Sequence, residues 1–158
     1  MADEPFRYHF KHLAGRRQQT FLAIAEEIIP ADDSGPGGGT IATAALADWA
    51  IARLDPSLQK LLMVFLTVWE YLGLLFGGKP FTRLSSEARQ RQMRWFERSP
   101  IPALRTGFFG LRAMALMGFY CREDVWPSIG YEGPLLFDRP FPDPEIRALQ
   151  KGKVGVAP

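Results

Sequence analysis

The sequence predicts an all-α protein, a compact bundle of about five helices with an irregular N-terminal arm and an extended, proline-rich C-terminal tail. The main observation is an apolar run at residues 61–76, LLMVFLTVWEYLGLLF, which is longer than a buried strand and rich in the helix former Leu. A second is that capping residues and apolar spacings of three and four mark further helices. The third is length, since 158 residues suffice for one core.

The apolar run has clear helix boundaries. Asp55 is placed to cap it, Pro56 fits the first helical position, and Gly77 and Gly78 end it. A membrane span needs about 20 apolar residues. The run is slightly shorter than that and carries Glu70, so we predict the core helix of a soluble protein or complex. We expect Glu70 to pair with a nearby Arg or to reach solvent rather than to act in catalysis.

Four other helices follow from periodicity and capping. Thr40 and Ser85 or Ser86 are predicted N-caps, and the Ala-rich second helix favours close approach of a neighbour. The predicted ranges are 18–29, 41–54, about 87–98 and roughly 103–119.

The segment 30–39, PADDSGPGGG, is predicted to be a connector. A dinucleotide-binding loop follows a strand and has glycines in the order G-x-G-x-x-G, whereas this segment follows a helix. Asp32 and Asp33 would also repel phosphate, and they lack the alternation of a calcium-binding loop.

We divide the chain into an irregular N-terminal arm at 1–17, a helical domain at 18–134 and an extended tail at 135–158. The arm mixes charges, aromatics and Gly without a clear period. The tail contains Pro140, Pro142 and Pro144 and ends in small residues, so we expect it to form no core.

Composition favours a protein that binds another protein. Aromatic residues make up 13% of the chain, and such a surplus often lies at interfaces. A net charge of +2 is too small to indicate a nucleic-acid partner. The arginines of segment 87–98 are more typical of a solvated helix face than of a phosphate-binding patch.

Catalytic and metal-binding patterns are not found in the sequence. The single cysteine, Cys121, excludes an intrachain disulfide and a Cys-rich zinc site, and we expect a small buried thiol. His9 and His12 have no third ligand near them in sequence. An independent enzyme is therefore the least favoured function, and we assign no catalytic, cofactor-binding or metal-binding residue.

The expected location is the cytoplasm. Arg16 and Arg17 suggest a twin-arginine export signal, but Glu26 and Glu27 interrupt the apolar residues that follow.

Three stretches carry a family resemblance. They are IIPADD at 28–33 with Pro36 and Gly37 behind it, the helix end at Phe119 and Tyr120, and WPSIGYEGP at 126–134. In this order and spacing the chain resembles the gluconate 2-dehydrogenase subunit 3 family over roughly residues 18–134. The stretch LSSEARQRQMRWFERSP at 84–100 is also similar to the segment that precedes the flavin domain of long-chain alcohol oxidases.

The resemblance implies a small helical subunit without a cofactor of its own. Members of that family accompany a larger flavoprotein of the glucose-methanol-choline oxidoreductase type, which holds the FAD and performs the chemistry. The resemblance thus implies an FAD-containing partner, a hydrophobic alcohol as its substrate, and a role for this chain in shaping the substrate entrance. Exported members have a signal sequence that we do not find here, so we do not extend a periplasmic role or a cytochrome partner to this chain.

We expect the partner to contact the segment 61–76 and exposed aromatic or aliphatic side chains. Two other classes of function stay open. A membrane-surface or lipid-binding protein would use the same apolar helices, and a nucleic-acid-binding module would use residues 83–98. The candidate contact residues are Trp69, Phe76, Trp95, Phe96, Trp126, Ile129 and Tyr131.

Overall fold

The computed structural model describes residues 5–33, 35–133 and 143–157, and within them it confirms the all-α prediction. Six α-helices and two three-residue strands make up the described regular structure, with short 3₁₀ turns at Phe81–Arg83 and Trp126–Ile129. In chain order the elements are β1 (Phe6–Tyr8), α1 (Arg16–Ile28), α2 (Ile41–Ile51), α3 (Pro56–Gly77), α4 (Ser86–Glu97), α5 (Pro102–Tyr120), α6 (Pro144–Gln150) and β2 (Val154–Val156).

The predicted helix caps form. The Asp55 carboxylate accepts from the Ser57 amide at 2.8 Å, and the Thr40 and Ser85 hydroxyls cap α2 and α4. Gly78 ends α3 in the left-handed conformation, with φ of 67°, which favours glycine. Most helix ends lie within two residues of the predicted positions. The exception is α2, which ends at Ile51, three residues early.

An aromatic stack joins α3, α4 and α5 in the main core. Trp69 of α3 is fully buried and lies nearly parallel to Phe96, with ring centroids 4.1 Å apart, and to Phe108, at 6.0 Å. Phe65 and Phe81 meet the Trp69 ring edge-on. Each such pair contributes about 0.5–1.5 kcal/mol beyond the burial of its area, so the stack fixes the inward side of α3.

The α2 helix packs closely on α5, as its alanines predict. Ala44, Ala45 and Ala47 are fully buried. At Gly118 of α5, an added Cβ would collide with the backbone carbonyl oxygen of Thr43. Small residues on both helices therefore bring the two backbones together.

The N-terminal arm, predicted to be irregular, contains a three-residue strand and joins α1 at Arg16, whereas residues 9–15 have no helix or strand. Residues Phe6–Tyr8 form β1, and the buried carboxylate of Asp48 on α2 holds the chain that follows. It accepts from the Tyr8 hydroxyl at 3.1 Å and from the amides of Lys11, His12 and Leu13 at 2.6–2.8 Å. Burial, with Asp48 beside it, raises the pKa of Tyr8, so this phenol stays protonated and donates.

The prediction of a tail that forms no core also needs correction. Residues 134–142 lie outside the described part, but residues 143–157 form α6 and β2, and β2 pairs with β1 in parallel. Pro144 does not break structure here. It occupies the first turn of α6, and the Asp143 carboxylate caps that helix by accepting from the Glu145 amide at 2.9 Å. Ile146 and Leu149 then complete a second, smaller core with Tyr8, Ala45 and Leu46.

Replacing Asp48 with Ala should destabilise the protein strongly. The substitution leaves the Tyr8 hydroxyl and three amides without their acceptor, and each unsatisfied buried donor costs about 1–3 kcal/mol. We expect a loss of about 3–5 kcal/mol, measured by urea unfolding. The control is Glu87→Ala at an exposed position of α4, which should change the unfolding free energy by less than about 0.5 kcal/mol. Equal losses for the two variants would contradict the anchoring role of Asp48.

Candidate functional site

The outward side of α3 exposes apolar residues along most of its length. Seven large apolar side chains of this helix are more than two-fifths exposed, from Val68 at 41% to Leu75 at 79%. Glu70 is buried, so Lys60 is the one charged residue on the outward side of α3, a helix that the structure describes completely. The seven residues, which we call the α3 face, are Leu58, Leu61, Val64, Val68, Tyr71, Leu74 and Leu75.

An apolar groove of about 470 Å³ runs between α3 and α5 beside this face. Two glycines of α5 leave space at the bottom of the groove. An added Cβ at Gly107 would meet the Phe65 ring at 2.7 Å, and one at Gly110 would meet nothing within 4 Å. Apart from the Thr106 hydroxyl, the side chains that line the groove are hydrocarbon or thioether, as in a surface that binds apolar groups. They are Leu54, Leu58, Leu61, Leu62, Val64, Phe65, Val68, Ala103, Leu104, Thr106 and Met114.

Among the described helices, α3 is the one that is long and apolar enough to cross a membrane. Only 33% of its most apolar 18-residue window is buried in the fold. The core helix of a soluble protein passes the same test of length and composition.

Glu70 lies on the inward side of α3 and links three elements. Its carboxylate accepts from the Thr20 hydroxyl of α1 at 3.2 Å and from the Thr82 hydroxyl and amide at 2.6 and 3.1 Å. Arg16 lies 3.6 Å away. The expected ion pair with an Arg is thus confirmed, and its full set of partners gives Glu70 a structural role.

Two of the predicted contact residues are wrong. Trp69 and Phe96 are both fully buried in the aromatic stack, so neither presents a side chain to a partner. For Trp69 the reason is that a helix that is apolar all round, as α3 is, does not reveal from its sequence which side turns inward.

The other five predicted contact residues form two surface clusters. Phe76 and Trp95 meet edge-on with centroids 6.0 Å apart, and Trp95 is exposed. In the second cluster Trp126 meets Tyr131 at 5.1 Å, beside the exposed Ile129. The structure therefore leaves Trp95, Ile129 and Tyr131 exposed and Phe76 and Trp126 half-buried.

The α5 side of the groove was not predicted from the sequence. The pattern is nevertheless visible there, because Ala103, Gly107, Gly110 and Met114 recur at spacings of four, three and four along one side of α5. Residues that are small at such positions leave room for a neighbour.

The arginines of α4 serve in part to hold the fold. Arg89 donates to the backbone carbonyls of Phe81 and Thr82 at 3.1 and 2.7 Å and lies 3.5 Å from the Glu27 carboxylate. Arg91 pairs with Glu87 at 2.8 Å on the helix surface. These two side chains already have partners within the chain.

The glycine-rich segment is a connector, as predicted. The Glu26 carboxylate accepts from the backbone amides of Ala31 and Gly39 at 3.2 and 3.0 Å. These amides are the groups a phosphate loop would offer to an anion. Here the chain's own carboxylate fills that role.

The described residues gather no metal site, and the one cysteine is a weak nucleophile. Among residues 5–33, 35–133 and 143–157, no three His, Cys, Asp or Glu side chains cluster as metal ligands would. Burial raises the pKa of the Cys121 thiol, which keeps it protonated and weakly nucleophilic at neutral pH.

Comparison of the chain with family models, with curated proteins and with solved structures gives no match.

Introducing two lysines on the α3 face should leave the fold intact and reduce hydrophobic dye binding and aggregation. The double variant Val64→Lys, Leu75→Lys changes two exposed positions, so we expect an unfolding free energy within about 1 kcal/mol of the parent. Binding of a hydrophobic dye and loss to aggregation should both fall. Leu66→Lys, on the buried side of the same helix, is the control and should unfold the protein. Unchanged dye binding by the double variant would show that the dye binds elsewhere than on the α3 face.

Proposed function

We propose that this chain is a non-catalytic small subunit that binds and stabilises an FAD-dependent alcohol oxidoreductase of the glucose-methanol-choline type. The single observation that carries the proposal is the exposed α3 face with its groove. Together the seven side chains expose on the order of 700 Å² of mostly apolar surface, beyond the roughly 300–600 Å² of the largest patch on a typical monomer. Such a surface is stabilised when a second protein covers it.

Covering the α3 face would supply a large part of a binding free energy. At about 25 cal/mol for each Å² of apolar surface removed from water, full coverage yields on the order of 15 kcal/mol before the costs of association. A subunit that binds the folded flavoprotein and not its unfolded chain raises the stability of that flavoprotein by mass action. No cofactor or nucleophile in this chain is needed for such a role.

The type of partner is inferred from the resemblance. One described residue from each of two motif stretches lies near the other, since a Cβ added at Gly35 would be 3.7 Å from Ser128. This proximity is consistent with the two stretches acting together, as the resemblance implies. The partner is then a flavoprotein that holds FAD, acts on a hydrophobic alcohol and has its substrate entrance shaped by this chain, all in the cytoplasm.

A membrane-surface function is the second candidate. It is favoured by one observation, the length and apolar character of α3 together with its outward exposure. Sedimentation with lipid vesicles of the purified chain, lost in Val64→Lys, Leu75→Lys, would support that function in place of the proposed one.

Co-purification with a flavoprotein tests the proposal directly. We expect the tagged chain, expressed with the glucose-methanol-choline type flavoprotein of its own genome, to retain that protein and the absorbance of its oxidised flavin. The Val64→Lys, Leu75→Lys variant should lose both, because two charges would be buried without partners. Glu87→Lys, an exposed change on α4 rather than on α3, is the control and should retain the complex. Parent protein that captures no flavin-containing partner would overturn the proposed function.

The loop around Trp126 is a second expected contact, and Trp126→Ala should release the flavoprotein in the same pull-down. The Trp126 ring supports Tyr131, and its indole donates to the Tyr120 carbonyl at 3.0 Å. Trp126→Phe keeps a ring against Tyr131 and is the matched control, expected to retain the partner. Full retention by Trp126→Ala would remove this loop from the interface.

A further inference from the structure

The exposed residues of the α3 face contain a regular seam. Leu61, Val64, Val68, Tyr71 and Leu75 follow one another at spacings of three, four, three and four, and all are at least 41% exposed. This is the 3.5-residue period with which one helix packs along another in a coiled coil. The seam therefore fits a helix as its occupant.

Four of the five seam residues pair with one another when two copies run antiparallel. Aligning two α3 helices over nearly their full length places Val64 against Val68 of the second copy and Leu61 against its Tyr71. Each contact then occurs twice, as a two-fold interface requires. A helix of 22 residues, about 33 Å long, provides four such layers in its central part.

One charged residue of α3, Lys60, lies beside the seam. This lysine is near the N-terminal end of α3, and the last carbonyls of the second copy's α3 lie at that end in an antiparallel pair. A lysine near the negative end of a helix dipole is stabilising. α3 itself exposes no other charge along its length, and two cations of another element, Arg16 and Arg17 of α1, lie beside Tyr71.

The available area is sufficient for a dimer. If most of the roughly 700 Å² of the α3 face is covered on each copy, the interface buries on the order of 1,200 Å² in total, within the range of stable interfaces.

From these observations we propose that the free chain forms an antiparallel homodimer through the seam on α3. A second copy and a flavoprotein would both cover Val64 and Val68, so they exclude one another. The dimer thus protects the α3 face until the flavoprotein replaces the second copy. The homodimer itself stands on the seam and does not depend on the proposed function.

Sedimentation equilibrium of the purified chain measures its oligomeric state. We expect a discrete dimer that dissociates on dilution. Val64→Lys should weaken association at least about 100-fold by burying a charge twice, and Lys60→Glu about tenfold by reversing the favourable end charge. Lys79→Glu, beyond the end of α3, is the control and should leave association unchanged. A monomer, a higher oligomer or undefined aggregates of the parent chain would overturn the proposal.

Cross-linking tests the direction of the pair. In a Cys121→Ser background, a short thiol-specific cross-linker should join a mixture of Val64→Cys and Val68→Cys chains more efficiently than either variant alone. Efficient linking of each variant to itself would indicate a parallel pair and overturn the antiparallel arrangement. A monomeric chain that still captures the flavoprotein would refute the homodimer alone, and a dimer that captures none would refute the proposed function alone.

Discussion

The α3 helix is apolar around nearly its whole circumference, and its own chain covers only one side of it. On the covered side Trp69 stacks between aromatic rings of α4 and α5, and Glu70 is held by hydroxyls and an amide of neighbouring elements. Because these inward groups fix the rotation of the helix, the apolar residues opposite them must face outward. The exposed surface is therefore a consequence of the core.

The helices were predictable because their signals are local. Asp55 caps α3 from two residues away, and Thr40 caps α2 from three, so short stretches of sequence contain both partners. The side of α3 that turns inward was not predictable in the same way. It depends on Trp69 meeting Phe96, which is distant in sequence, and an apolar residue looks alike whether it is buried or exposed. Sequence reasoning therefore placed Trp69 in the interface when it belongs to the core.

The strand near the N-terminus and the regular structure within residues 143–157 were not predicted, because their partners are distant. The strand Phe6–Tyr8 pairs with Val154–Val156, and Asp48 in the middle of the chain anchors the residues after β1. Neither end has enough apolar periodicity alone to predict this pairing. Together they build the second core, which each end lacks by itself.

The carboxylates described above bind groups of the same chain, and this limits how the outer surface can recognise a partner. Asp48, Glu70 and Glu26 each turn a carboxylate onto backbone amides or hydroxyls of the same chain. The outward side of α3 exposes one cation, Lys60, beside the α3 face. A face with one charge cannot select a partner by a charge pattern. Selectivity must come from shape, and the groove supplies it where Gly110 leaves space between α3 and α5 for an inserted side chain. A partner with a bulky apolar residue at that point would gain contacts that a flat apolar surface could not make.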